Sequence, residues 1–161
     1  MSTSRRGSGM ANWEIRRAMR KLKNFVGAFP SNHNPIPLVK SFPCSFIMNS
    51  NPVSNSGHWL AFYLISPTHL EFFDSLAHPL SHYFNLSCYF TQFTTIISNT
   101  RLVLQSRESS LCGEFCITFL HLRSRYHMHY SKIISLLHKK YSNSFSRDTF
   151  VSRFGLLNKT I

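Results

Sequence analysis

Four side chains in this sequence have the types and settings for acyl transfer at a carbonyl: His58, Asp74, Gln105 and Cys112. Cysteine attacks as the thiolate, and a free thiol is mostly protonated near neutral pH. Cys112 opens a largely apolar segment that reads as a helix, just before Gly113. A helix N-terminus offers unpaired N–H groups and partial positive charge, and both favour the thiolate. An imidazolium favours it further, and His58 can then return a proton to a leaving amine. Asp74 can orient that imidazole and stabilise its charged form. Attack creates an oxyanion, which the Gln105 amide and the Cys112 backbone N–H can bind. Losing one such donor typically costs roughly 3–4 kcal/mol in the barrier.

The scarcity of acids sharpens the choice of Asp74. The chain has six acids in all. Asp148 and Glu14 fall in predicted helices, and Glu108 and Glu114 flank the cysteine. Glu71 shares a strand with Asp74 but, three residues away, points to the other face. Of the four cysteines, Cys44 sits in an apolar strand and Cys116 lies one helical turn after Cys112, so both read as core. Cys88 stands alone. Only Cys112 and Cys116 are close, so no zinc site is expected, and a chain of this kind does not suggest a disulfide framework. The plainer reading of Cys112 is a small core residue at a helix start.

The elements that must position these residues follow from periodicity. A helix is expected over about 11–24, with Ile15, Met19 and Leu22 under a basic face. Pro30, Pro35, Pro37 and Pro43 mark an irregular connection. Cys44–Asn49 reads as a strand, 50–57 as a loop, and 58–65 as a strand apolar on both faces, as in a covered sheet. Leu70–Asp74 should pair antiparallel with it across a short turn. Leu80–Phe93 reads as a helix, Thr95–Ser98 as its extension or a short strand, and Arg101–Gln105 as a strand. From Cys112, the apolar positions 115, 116, 119 and 120 define one buried helix face. Helices are also expected over 131–141 and 148–156, the last capped by Ser146 or Asp148. Strands beside late helices give an α+β domain over 11–161, after a disordered basic tail at 1–10.

Composition narrows the function classes. The 161 residues carry 18 Lys+Arg against 6 Asp+Glu, a formal charge of +12. That charge should attract polyanions, with DNA bound through its backbone and not read by sequence. Arg16, Arg17, Arg20, Lys21 and Lys23 are the densest cluster and the first candidates for that contact; the plainer reading is a solvated helix face. A hydrophobic fraction of 43% supports a real core. No apolar run approaches the roughly 18–20 residues of a spanning helix, and no secretory leader is evident, so no membrane role is expected.

The segments also resemble a known family. FVGAFPSN, FPCSFIMNSNPVSNSGHWLAFYL, LEFFDSLAHPL, LQSRESSLCGEFCITFL and FSRDTFVSRF are similar, in this order, to segments of the adenovirus-type cysteine endopeptidases, the adenain family, and above all to members from Maverick/Polinton elements and related DNA viruses. The similarity spans roughly 25–155. It implies a papain-like fold, a mixed sheet packed between helices, with the site in the order His58, Asp74, Cys112 and with Gln105 as oxyanion donor. It implies cleavage of virion precursor proteins, often at Gly-Gly-type sites, in the virion or host nucleus. It implies DNA as a stimulating partner. The chemistry needs no cofactor or metal, and a monomer is expected. Family members are also stimulated by a disulfide-linked peptide; the Cys88–Gln105 spacing departs from that pattern, and the role is not carried over.

Two other readings remain. SUMO- and ubiquitin-like deconjugating proteases share the His–Asp–Gln–Cys order. A basic DNA-packaging protein on a decayed protease fold would keep the charge without the chemistry.

Overall fold

The computed structural model describes residues 9–52, 57–106, 108–140 and 143–160. Five strands form one mixed sheet in sequence order: β1 (Phe25–Phe29), β2 (Cys44–Asn49), β3 (Trp59–Ser66), β4 (His69–Phe73) and β5 (Thr95–Ser98). The two outer pairs are parallel and the two inner pairs antiparallel. The helices are α1 (Asn12–Met19), a single turn α2 (Phe84–Ser87), α3 (Cys112–Ser124), α4 (Tyr130–Ser135) and α5 (Ser144–Thr160).

β3 is central, and its alternation divides two cores. Trp59, Ala61 and Tyr63 face α1, α3, α4 and α5 together with Ile47, Phe73, Phe115 and Phe119. Leu60, Phe62 and Leu64 face the other layer together with Phe46, Phe72, Leu86 and Phe90. Rings stack in both cores: Phe62 on Phe90 at 4.7 Å and Phe73 on Phe119 at 4.6 Å. Glu71 faces the helices. Arg123 of α3 clamps it with two hydrogen bonds, at 2.8 and 3.1 Å, tying α3 to β4.

Several expected elements take a different form. α1 ends at Met19 and not near 24; turns follow, and Asn24, with a left-handed backbone (φ 60°), leads the chain into β1. Leu80–Phe93 is not one helix. It breaks into a 3₁₀ turn at Leu80–His82, then α2, then a 3₁₀ turn at Cys88–Phe90. Leu80, Tyr83 and Leu86 are all buried at three-residue spacing, which suits 3.0 residues per turn better than 3.6. Thr95–Ser98 is the edge strand β5. Arg101–Gln105 joins no ladder. Its Leu104 and Gln105 N–H groups both donate to the carbonyl of Ser75, at 2.9 and 3.0 Å. The 131–141 helix starts at Tyr130 and widens to a π-helical turn over Leu136–Lys140. α5 starts earlier than expected, where the Asn143 side chain accepts the Ser146 N–H at 2.8 Å. Part of the 50–57 loop, residues 53–56, lies outside the described residues, as do residues 1–8 of the basic tail. Met10, assigned by composition to that tail, is instead buried at 5% exposure.

Candidate active site

His58, Asp74 and Cys112 meet at one edge of the sheet, the end where β3 starts and β4 stops, each for a local reason. Gly57 has φ +99°, and a Cβ there would collide with the Asn49 side chain, so only glycine fits. The next residue is then held from both sides of its peptide. The His58 N–H donates to Ser50 Oγ at 2.9 Å, and its carbonyl accepts the Ser50 N–H at 2.8 Å. Asp74 immediately follows β4. Asn99, just beyond β5, accepts the Asp74 N–H at 3.2 Å and donates to the Asp74 carbonyl at 2.7 Å. The amide thus continues the β4–β5 ladder with a side chain. The Tyr130 hydroxyl shares its one proton between the Phe72 carbonyl at 2.8 Å and Asn99 Oδ1 at 3.1 Å.

His58 Nε2 meets Asp74 Oδ1 at 2.6 Å. Asp74 is fully buried, and its carboxylate also accepts the Leu76 N–H (2.8 Å), the His78 N–H (3.2 Å) and the Tyr83 hydroxyl (2.6 Å). Burial alone would push this carboxyl up. Bonding to His58, then to Tyr83 and Leu76, holds it below its ordinary value, so it is an anion. Burial alone would push the His58 imidazole down. The Asp74 bond and the Cys112 side chain against the ring raise its pKa to about 9. His58 is therefore an imidazolium at neutral pH, and with Nε2 committed to Asp74, Nδ1 remains for the sulfur.

Cys112 is the first residue of α3, where its N–H has no intrahelical acceptor. The Trp59 N–H donates to Cys112 Sγ at 3.5 Å, within reach for sulfur. Trp59 is anchored in turn, its indole N–H donating to the Met10 carbonyl at 2.8 Å. A Cβ on Gly113 would press on the Met10 side chain, so the segment entering α1 packs against the first turn of α3. The two other buried cysteines sit in different surroundings. Burial pushes Cys116 well up and Cys44 to about 11, which keeps both as thiols.

Gln105 reaches the same edge through Ser75, the neighbour of Asp74. Its Oε1 accepts the Ser75 hydroxyl at 2.6 Å, and its Nε2 donates to the Ser109 carbonyl at 2.7 Å. An amide has two N–H donors, so one remains for a ligand. α5 clamps the loop carrying it: Arg147 Nε donates to the Leu104 carbonyl at 2.8 Å, and the Asp148 carboxyl bonds to Ser109 and to the Ser106 backbone. Together these groups set a charged imidazole against the Cys112 side chain at a helix start, an arrangement suited to nucleophilic attack by sulfur.

Tyr83, Asn99, Ser75 and Arg147 escaped the sequence reading, since nothing in their local pattern points to this edge. Glu71 is committed to Arg123 on the helical face. Of the five basic candidates for DNA contact, Arg16 is partly spent on structure: its Nε donates to Asn12 Oδ1 at 2.8 Å and its Nη2 to the Ala28 carbonyl at 2.7 Å. Arg17, Arg20, Lys21 and Lys23 are exposed. Among the described residues no helix is long and apolar enough to cross a membrane.

No protein-family model matches the chain, and no curated protein matches its sequence. Its fold does match solved structures. The ASFV protease pS273R aligns with a TM-score of 0.54 at 16% identity, over 92% of this chain and 68% of that one. The central domain of the uncharacterized Lpg1148 protein from Legionella pneumophila aligns at 0.52 and 13% identity, over 94% and 99%. ChlaDub1 from Chlamydia trachomatis aligns at 0.51 and 15% identity, over 95% and 79%. At such identities the likeness is one of fold. The expected architecture holds: a papain-like cysteine-protease fold, with a five-stranded mixed sheet between helical layers.

Proposed function

We propose that this chain is a cysteine endopeptidase of a DNA virus or virus-like element, cleaving virion precursor proteins at Gly-Gly-type sites. The observation that carries the reading is the 2.6 Å His58–Asp74 pair set against Cys112 at the head of α3. The fold shared with an ASFV protease supports it. So does the resemblance of the His-Trp, Phe-Asp and Gln-to-Cys segments to viral and transposon peptidases.

The chemistry runs from the geometry. The Cys112 thiolate attacks the scissile carbonyl carbon and forms a C–S bond. The carbonyl oxygen takes the electron pair and is held by the Cys112 N–H and the remaining Gln105 N–H. His58 gives its proton to the amine as the C–N bond breaks, leaving a thioester and neutral imidazole. That imidazole takes a proton from water, which attacks the thioester and releases the acid. Asp74 remains ionised throughout and keeps the imidazole oriented.

On this reading the enzyme works as a monomer in the virion or host nucleus. DNA stimulates it through Arg17, Arg20, Lys21 and Lys23, with binding that is sequence-tolerant and falls steeply with salt.

The test is labelling by a thiol-directed peptide electrophile ending in Gly-Gly, with and without DNA, followed by mass mapping. Selective modification of Cys112, lost in His58→Ala, supports the reading. Equal labelling of all four cysteines, His58-independent, overturns it. A parallel panel of ubiquitin-like fusions separates an endopeptidase from a deconjugating protease, and Cys112→Ala is the blank for both.

A further inference from the structure

A second concave site lies at the far end of α3 from the thiol. The cavity measures about 510 Å³ and is lined by Lys21, Lys23, Ser45, Tyr63, Arg125 and His127, among others. These come from three places: the turn between α1 and β1, the paired ends of β2 and β3, and the segment leaving α3. A volume of this size suits a small molecule.

Its chemistry has one sign. Lys21, Lys23, Arg125 and His127 all line it, and no acid does among the described residues. The nearest acid by register is Glu71, opposite Tyr63 across β3 and β4, and Arg123 already neutralises it with two hydrogen bonds. Of the neutral residues in the wall, Leu22, Pro43 and Cys44 are apolar, while Tyr63 and Ser45 carry hydroxyls. Burial raises the Tyr63 phenol above its usual value, so it keeps its proton. Ser45 is 1% exposed, and its Oγ has no hydrogen-bond partner among the described residues. An orphaned buried hydroxyl in a native fold asks for an explanation. Asn24 and His127, both in this wall, adopt left-handed backbone at φ 60° and 54°.

We propose that this cavity binds a compact polyphosphate, a small molecule carrying two or more phosphate groups. Lys21, Lys23 and Arg125 supply the charge, and the Tyr63 and Ser45 hydroxyls supply neutral donors beneath it. The bound molecule would join the α1–β1 turn to the end of α3. The thiol sits at the other end of that helix, about 18 Å away at 1.5 Å per residue. This proposal does not depend on the peptidase chemistry, since its readout is binding, but it claims Lys21 and Lys23 for a small polyphosphate in place of DNA.

The same phosphate chemistry is carried by a nucleic-acid backbone, so the experiment uses separate arms. Inorganic tripolyphosphate, a short single-stranded DNA and sulfate at matched ionic strength are each titrated by calorimetry and by thermal melting in about 0.15 M salt. Tripolyphosphate should bind one to one and raise Tm by roughly 5–10 °C at a hundredfold excess over Kd. Lys21→Gln/Lys23→Gln/Arg125→Gln should lose at least about tenfold in affinity, because each removed phosphate contact weakens binding. All three side chains are exposed, so the variant should melt like the parent without ligand. The control Lys40→Gln/Arg101→Gln/Lys132→Gln removes the same charge elsewhere and should bind as the parent does. Equal losses in the two triple variants, or equal shifts with sulfate, would reduce the effect to net charge and overturn the site. Binding of DNA but not of tripolyphosphate would also overturn it, assigning these cations to a nucleic-acid surface.

Discussion

Tyr83 donates its hydroxyl to Asp74 Oδ2 at 2.6 Å, the carboxylate oxygen that His58 leaves free. Asp74 is thereby gripped from two sides, by an imidazolium on one oxygen and a phenol on the other. Burial and the adjacent carboxylate push the Tyr83 phenol well up, so it remains a donor at any working pH. The break in the chain at Tyr83 (φ −104°, ψ 76°) separates the 3₁₀ turn from α2 at this residue. Tyr83→Phe keeps the ring in the core and removes only the bond. The expected cost is about 1–2 kcal/mol in unfolding free energy, with a loss in kcat and little change in KM. Parallel urea melts and steady-state kinetics check it. A variant unchanged in kcat would confine Tyr83 to packing.

On the proposed mechanism, the His58 pKa of about 9 should set the alkaline limit of activity. Above it the imidazolium is lost, and with it both the ion pair and the proton for the leaving amine. kcat/KM should therefore fall with an apparent pKa near 9. In Asp74→Asn the main raising influence is gone, and the limb should move down toward about 6.5, the ordinary histidine value. The same variant should lose roughly 10²–10⁴-fold in kcat/KM, less than Cys112→Ala, since Asp74 orients and does not attack. A full pH–rate profile of both proteins decides it. An unmoved limb in Asp74→Asn would mean another group controls it.

Stability should follow the same pair. His58 has a raised folded pKa, so its contribution is complete below its ordinary 6.5 and is lost as pH rises through about 9. Asp74 has a lowered folded pKa, so its contribution is complete above its ordinary 3.8 and is lost as pH falls through the depressed value. Both are whole between these two ordinary values. The Tm difference between the parent and His58→Ala should be largest there and should close as the pH passes about 9. Thermal melts across pH measure it. A gap that widens with rising pH would contradict the ion pair.

Arg147 holds the loop that carries Gln105, the oxyanion donor of the proposed mechanism. Its Nε–Leu104 carbonyl bond at 2.8 Å fixes the residue before Gln105. Gln105→Ala should lower kcat by roughly 10²–10³, the usual effect of losing an oxyanion donor. Arg147→Met, which keeps much of the packing volume, should lower kcat by a smaller factor while leaving KM near the parent value. Arg147→Lys should restore part of it. A KM effect without a kcat effect would place Arg147 in substrate binding.

The parts of this site that could be read from sequence are those whose local surroundings carry the signal. Alternation along 58–65 marks a strand covered on both faces, and β3 is central with Trp59, Ala61 and Tyr63 on one core and Leu60, Phe62 and Leu64 on the other. The helical spacing from Cys112 puts the thiol at the head of α3, and the scarcity of acids singles out Asp74. The structure brings these residues and His58 to one edge. Local pattern misleads where bonding is not local. Arg101–Gln105 has strand composition, but its N–H groups close on the Ser75 carbonyl. Leu80–Phe93 has helical composition, but it folds as two 3₁₀ turns around the single turn α2, with Leu80, Tyr83, Leu86, Phe90 and Phe93 buried.

Residue type and order in the sequence singled out four candidate residues, and periodicity determined the α+β class, because strand and helix patterns depend on neighbours a few positions away. Only the tertiary structure decided what holds the constellation. Tyr83 and Asn99 at Asp74, Arg147 at the Gln105 loop and Met10 beneath Trp59 come from separate elements. Their bonds form when the sheet and helices pack and buried polar groups must find partners, and no local spacing encodes which partner that will be.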